Sequence, residues 1–453
     1  MSDLARPGSR KVDVTHRAVI RLALPMTLAH ISTPLLGFAD AAIVGRLGQA
    51  HLLGAIAMAA VIFDFVFWGF GFLRLGTAAL TAQAVGAGDT GEQQATTARA
   101  LVIALGLGAA LIALQVPIAW VAFSVMSASP AATEAARAYF DIRIWSAPFA
   151  LVNYVVLGSL TGRGRTDLGL ALQILINLSN IGLNIWLVAD LGLGVRGSAL
   201  GTVTAEVLGA AAGLGVLAVT LGRRFDVSLA VLLDPGKLRR MVGVNRDIMI
   251  RSAALLVAFA FFTAQGARGG DVTLAANAVL MNLFLITSYF LDGFATAAEQ
   301  MCGQSLGASD PAGFRKAVRL TSLWCVLFSV GASLGALTGG PLLIDVVSTN
   351  EAVRALSRQF LVFAALTPIF GAFAFEFDGV FVGATWTRDM RNLMLVSLGI
   401  YLGLFLVLRP LGNTGLWLAL LGFLAVRGAL QAWRYGSLVE HAFPAMPHGS
   451  GRA

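Results

Sequence analysis

The stretch LLGFADAAIVGRLG, Leu35 to Gly48, sets one carboxylate, Asp40, inside an otherwise apolar run. An ionised side chain at the centre of a bilayer costs at least about 2.5–3.5 kcal/mol on insertion scales, so an acid held there faces a cavity or a partner. No lysine or arginine stands between Arg21 and Arg46, so a cationic partner must come from another part of the chain. Such a carboxyl can load and release a proton as access to it alternates. Two prolines precede it, Pro25 and Pro34, and each removes a backbone donor and lets a helix bend. A second polar set lies in LQILINLSNIGLNIWLV, where Asn177, Asn180 and Asn184 are spaced by three and four. That spacing lines three amides along one helical face. In a bilayer such a stripe turns to the bundle interior. Tyr139, Asn153 and Thr202 extend this set.

Other charges sit at comparable depth: Asp64, Arg74, Asp141, Arg143, Glu206, Asp292, Glu299, Glu376 and Asp378. Most have a structural reading. Asp64 and Arg74 are expected to pair between helices, and Asp141 and Arg143 lie near a span end within reach of water. Asp378 is kept as a secondary site candidate. No enzyme constellation is present: there is no G-x-x-x-x-G-K-[ST] phosphate loop, no H-E-x-x-H and no G-x-S-x-G. Aspartate-rich motifs for a metal-bound diphosphate are missing too, which disfavours a membrane transferase. The two cysteines, Cys302 and Cys325, fall in apolar segments and read as small buried residues. No metal site and no cofactor are expected.

The elements that must position these groups are membrane helices. Of 453 residues 57% are hydrophobic and 12% charged, against roughly 25% charged in a soluble domain. Apolar runs of spanning length recur throughout. Twelve spans are expected, near 18–44, 52–80, 96–124, 136–160, 168–190, 197–221, 248–267, 273–303, 317–342, 355–383, 392–409 and 414–436. The fold class is therefore an all-α polytopic membrane protein. The net charge of +8 comes from basic residues scattered between spans, without nucleic-acid motifs, so no nucleic-acid partner is expected. Those residues gather on one side: the N-terminal tail, Arg163 and Arg165, the central linker, Arg315 to Arg319, and Arg388 with Arg391. Positive-inside bias then places both termini in the cytoplasm.

The chain also repeats itself. LTAQAVGAGD (Leu80–Asp89) matches MCGQSLGASD (Met301–Asp310), with Gln83 over Gln304, Gly86 over Gly307 and Asp89 over Asp310. The same offset sets Gly158 and Gly162 over Gly379 and Gly383. Two parallel six-helix halves around a cavity are a transporter architecture. The division expected is a tail at 1–17, a first lobe of helices 1–6 at 18–221, and a linker at 222–247. A second lobe of helices 7–12 follows at 248–436, and a tail at 437–453.

From RLALPM (Arg21–Met26) to GNTGLWLAL (Gly412–Leu420), the sequence resembles the multidrug and toxic compound extrusion (MATE) transporters, in particular their DinF-like branch. The stretches PLLGFADAAIVGRLG, LTAQAVGAGD, NRDIMIRS, ANAVLMNL and LDGFATAAE carry the resemblance. It implies two pseudo-symmetric six-helix bundles opening alternately to either side. It also implies export of amphipathic or cationic organic compounds against an inward flow of H⁺ or Na⁺. Asp40 matches the first-helix aspartate that such transporters protonate, and Pro25 the proline at which that helix bends. Asn180 and Thr202 match N-lobe cavity residues, as do Tyr139 and Asn153. Where some relatives carry a second aspartate this chain has Asn184, which removes a carboxylate from any Na⁺ site and favours H⁺. Asp378 falls where sodium-coupled relatives carry a C-lobe acid, but span 7 supplies no acid to match it. The expectation is a monomeric, proton-coupled antiporter of the bacterial inner membrane. The alternatives are a Na⁺-coupled exporter of the same fold and a flippase for a lipid-linked precursor.

Overall fold

Glycines and prolines stand at several points where the apolar spans break into shorter helices, while other prolines, Pro341 and Pro368 among them, lie inside unbroken ones. The computed structural model describes residues 13–45, 50–126, 129–222 and 227–444, without the side chains at 33–36, 38–42, 45, 50 and 53. The two expected tails therefore lie largely outside the described residues. So do the side chains of Asp40 and Pro34, whose backbone belongs to α1 (His16–Gly45). That helix runs through Pro25 and Pro34 without leaving helical geometry.

The second span is two helices, α2 (Ala50–Trp68) and α3 (Phe72–Gly86), separated at Gly69-Phe70-Gly71. The third divides at Leu114 into α4 (Thr90–Ala113) and α5 (Gln115–Val125), because the ring of Pro117 conflicts with a helical carbonyl at Ala113. The fourth divides into α6 (Pro130–Arg143) and α7 (Ala147–Gly162) around a 3₁₀ turn at Ile144–Ser146, just before Pro148. The fifth, α8 (Thr166–Asn184), continues as a π-helical turn over Ile185–Asp190, and α9 (Gly194–Thr220) is the sixth.

The expected linker at 222–247 holds a single turn, α10 (Leu229–Leu232), and then the start of α11 (Pro235–Arg268). Five long helices follow: α12 (Asp271–Gly307), α13 (Pro311–Val347), α14 (Glu351–Gly383), α15 (Thr387–Leu408) and α16 (Asn413–Ala442). Among the described residues, eleven helical segments besides α1 are long and apolar enough to cross a membrane. Large apolar side chains such as Phe65, Val219, Leu342 and Val407 are exposed on them, as suits helices whose solvent is lipid.

The offset that sets Asp89 over Asp310 recurs in the helix boundaries. It separates the starts of α2 and α12, α4 and α13, α6 and α14, and α8 and α15. It recurs in the caps as well. Asp89 Oδ1 accepts from Glu92 N at 2.8 Å to start α4, and Asp310 Oδ1 accepts from Gly313 N at 2.8 Å to start α13. It recurs again in packing. A Cβ on Gly158 would strike the Arg74 carbonyl, and one on Gly379 would strike the Ala295 carbonyl. These glycines let helix backbones touch, the membrane equivalent of a packed core.

The described residues form two compact units. The N-terminal unit comprises the described residues within 28–81 and 89–245, and the C-terminal unit those within 13–27, 82–88 and 246–444. The sequence puts 18–27 and 82–88 with the first lobe; backbone contact puts them with the second. Gly293 of α12 has no side chain where it meets Thr27, and Gly86 has none where it meets the Gln304 carbonyl. Reciprocally, Gly307 meets the Gln83 carbonyl, so the two matching motifs pack on one another through the residues that repeat. Gln83 Nε2 adds bonds to the Gly383 carbonyl at 2.8 Å and Thr385 Oγ1 at 3.2 Å.

Within the C-terminal unit α14 packs on α12, α13 and α16, around a core that includes Phe262, Tyr401, Trp417 and Phe423. Replacing Gly379 by alanine sets a methyl group against backbone that no rotamer change can clear, so the helices must part. Overpacking of this kind costs about 1–3 kcal/mol. Gly379→Ala should lower the apparent Tm of the detergent-purified protein, while Gly335→Ala, with nothing within 4 Å of the new carbon, should leave it unchanged. Equal melting of the two variants would contradict the close approach.

Candidate functional site

The amide stripe on α8 is buried: Asn177 is 7% exposed, Asn180 1% and Asn184 1%, while Leu178 and Trp186 on the same segment are 64% and 53% exposed. Three-and-four spacing thus does what it implied. An unpaired amide at this depth is costly, and the amides satisfy one another. Asn184 Nδ2 donates to Asn180 Oδ1 at 2.9 Å, and Asn180 Nδ2 donates to Thr202 Oγ1 at 3.0 Å. Thr202 in turn donates to the Ser198 carbonyl at 3.0 Å. The ladder needs α8 and α9 close together. Gly201 permits this, since a Cβ there would stand 2.5 Å from Asn184 Oδ1. Beyond Asn184 the backbone widens into the π-helical turn, a feature frequent at functional sites.

Asn177 points elsewhere. Its Nδ2 donates to Ser32 Oγ of α1 at 2.9 Å, its Oδ1 accepts from Gln173 Nε2 at 3.0 Å, and Ser32 donates to the Ala29 carbonyl at 2.7 Å. Ser32 was not singled out by the sequence. A hydroxyl beside Pro34 in the helix that bears Asp40 was the available signal. Asp40 follows it by eight residues, about 12 Å along the helix axis.

Tyr139 and Asn153 stand apart from the ladder. The Tyr139 hydroxyl accepts from Arg143 Nη1 at 2.8 Å, and the guanidinium lies 4.9 Å from the centre of the Phe63 ring. Asn153 Nδ2 donates to Glu206 Oε2 at 2.6 Å and to the Glu206 carbonyl at 3.1 Å. The expected pairing of Asp64 with Arg74 is not found; the cation whose charge reaches Asp64 is Arg143. Three of the five cavity candidates (Asn180, Asn184 and Thr202) therefore form one chain of hydrogen bonds. The other two hold a charged neighbour each.

In the C-terminal unit Asp378 is 7% exposed and pairs with two arginines, Arg251 of α11 and Arg427 of α16, while its other oxygen accepts from Gln431 Nε2 at 2.7 Å. Arg427 and Gln431 are each 1% exposed. The charge of Asp292 also reaches both arginines. Two residues before Asp378, Glu376 is fully buried and accepts from Thr321 Oγ1 at 2.8 Å. A separate polar group joins α12 to α16: Asn277 Oδ1 accepts from Trp417 Nε1 at 3.0 Å, and Asn277 Nδ2 donates to Asn413 Oδ1 at 2.8 Å. Among the described residues no group of three histidine, cysteine or acidic side chains is arranged to hold a metal ion. Both cysteines are buried thiols.

Comparison with known proteins places these features in context. A family model described as MatE matches residues 25–186 and 248–406. The chain is 38% identical over 433 residues to DNA damage-inducible protein F of Escherichia coli K12, covering 93% of each. It is 30% identical over 330 residues to a probable multidrug resistance protein NorM of Caulobacter vibrioides, covering 71% of this chain and 68% of the relative. Two solved structures superpose at a TM-score of 0.84, each over 95% of this chain and 97% of its own. One is a MOP superfamily transporter from Pyrococcus furiosus described as having a binding pocket of reverse polarity, at 20% identity. The other is an outward-facing multidrug resistance MATE family transporter, at 18% identity.

Proposed function

Since the chain belongs to the MATE family of secondary transporters, we propose that it exports amphipathic, in part cationic, organic compounds in exchange for H⁺, with Asp40 as the proton carrier. The observation that carries this reading is the Asn177–Ser32 hydrogen bond, which ties the buried amide stripe to the helix bearing Asp40. Protonation of an acid on α1 changes the charge the helix holds against its neighbours. Where the preceding prolines leave its hydrogen-bond ladder incomplete, the helix bends most easily. The ladder of Asn180, Asn184 and Thr202 then supplies neutral donors and acceptors to a passing substrate. Neutral amides and a wide apolar surround select a size and polarity class rather than one molecule.

Geometry in the C-terminal unit favours H⁺ over Na⁺. A hard cation needs several oxygen ligands carrying negative charge, and both oxygens of Asp378 are already committed to Arg251, Arg427 and Gln431. The protein works as a monomer, in the inner membrane of a bacterium, with both termini in the cytoplasm. Proteoliposomes loaded with a pH indicator test the coupling. A pH gradient should drive substrate uphill in the direction opposite to H⁺, and added substrate should move protons. A Na⁺ gradient of equal size at symmetrical pH should do neither. Uphill transport on Na⁺ alone would overturn the proton reading.

A further inference from the structure

Glu206 belongs to the same face of α9 as Thr202, one turn further along, and is half-buried. Thr202 joins that face to α8, and Glu206 joins it to α7 through Asn153. The Asn153 amide, at 2.6 Å from Oε2, holds the carboxylate in place without cancelling its charge. Among the described residues no cation lies within ion-pair distance of it. The cation whose field reaches it is Arg143, one turn from the Tyr139 hydroxyl it donates to and stacked over Phe63. The ring of Tyr154, next to Asn153 in the chain, lies within reach of the same charges.

A carboxylate at membrane depth with no ion-pair partner among the described residues, bonded to an amide and one turn from a neutral amide ladder, has the chemistry that receives a lipophilic cation. The acid supplies the counter-charge that the apolar surroundings lack. We infer that Glu206 is the specificity-determining residue of the N-terminal unit, the carboxylate that takes the positive charge of a cationic substrate. The inference rests on the transport reading only in needing substrate to enter this unit; it makes no use of the coupling ion. Its rival is a structural role, with Glu206 doing no more than pinning α9 to α7. Glutamine separates the two, because its Oε1 still accepts from Asn153 while the charge is gone.

The test is binding by the purified full-length chain without any gradient, so failure of proton coupling cannot disguise the result. Two probes of similar shape are compared: tetraphenylphosphonium, permanently charged, and triphenylphosphine oxide, neutral. E206Q should weaken tetraphenylphosphonium binding about tenfold or more and leave triphenylphosphine oxide within about twofold. E206D, which keeps the charge, should recover most of the cation's affinity. Monodispersity and Tm of E206Q matching wild type establish that the fold is intact. The assignment is overturned if wild type fails to bind the cation, if E206Q binds it as wild type does, or if both probes weaken together. Loss of the fold in both E206Q and E206D would likewise overturn it, as the mark of a purely structural residue.

Discussion

Asp40→Asn should insert and fold like the wild-type protein and lose efflux driven by a pH gradient, down to the leak of protein-free liposomes. Asparagine is nearly the same size and still donates and accepts, so packing around α1 is preserved. What disappears is the exchangeable proton. No lysine or arginine lies between Arg21 and Arg46, so no permanently cationic side chain in that stretch replaces the lost proton. A neutral side chain fixes α1 in the state the protonated acid would produce, and the transport cycle stops there. Substrate binding should persist, because the amide ladder of Asn180, Asn184 and Thr202 is untouched. The decisive measurement is uphill transport into proteoliposomes as the imposed pH difference is varied. A wild-type slope for the variant would remove Asp40 from the mechanism.

Asp378→Ala should damage the fold rather than the coupling. The carboxylate is the shared partner of Arg251 and Arg427, and Arg427 is 1% exposed. Removing one member of a buried ion pair leaves charge uncompensated, at about 3–5 kcal/mol. Here two guanidinium groups lose the same acid. The expected result is poor membrane yield and a sharply lower apparent Tm in detergent. Replacing Asp378, Arg251 and Arg427 together with apolar residues of similar volume should recover much of that loss, since an intact buried ion cluster contributes little net stability. If Asp378→Ala melts like wild type, the acid is free of its arginines in solution, and a direct role for it in ion handling returns.

The number of spans, the internal repeat and the buried face of α8 were all legible in the residues. Hydropathy sets the length and spacing of membrane helices because the bilayer is a uniform solvent. An amide stripe has one sensible direction in it, and Asn177, Asn180 and Asn184 point that way. The repeat was readable at one constant offset because each motif glycine answers a local demand, the approach of another backbone. Helix breaks were less legible. Gly69–Gly71 and Ile144–Ser146 interrupt spans that their hydropathy makes continuous, and the matching segments of the second half, α12 and α14, run unbroken.

Partners separated along the chain were beyond reach. Spacing places Asp378 within a span, but nothing near it announces Arg251 on α11 or Arg427 on α16. The same holds for Asn153 with Glu206 and for Asn177 with Ser32. Composition and periodicity therefore determined the class of the protein, its helices and the groups at membrane depth. These depend on transfer free energy and helical geometry, which act residue by residue. Tertiary structure alone decided which of those groups stand paired with a cation and which do not. Asp378 and Glu206 are both acids within apolar spans. Only packing against other helices gives the first two arginines and the second an amide, because ion pairing is a property of distance between side chains and not of either side chain.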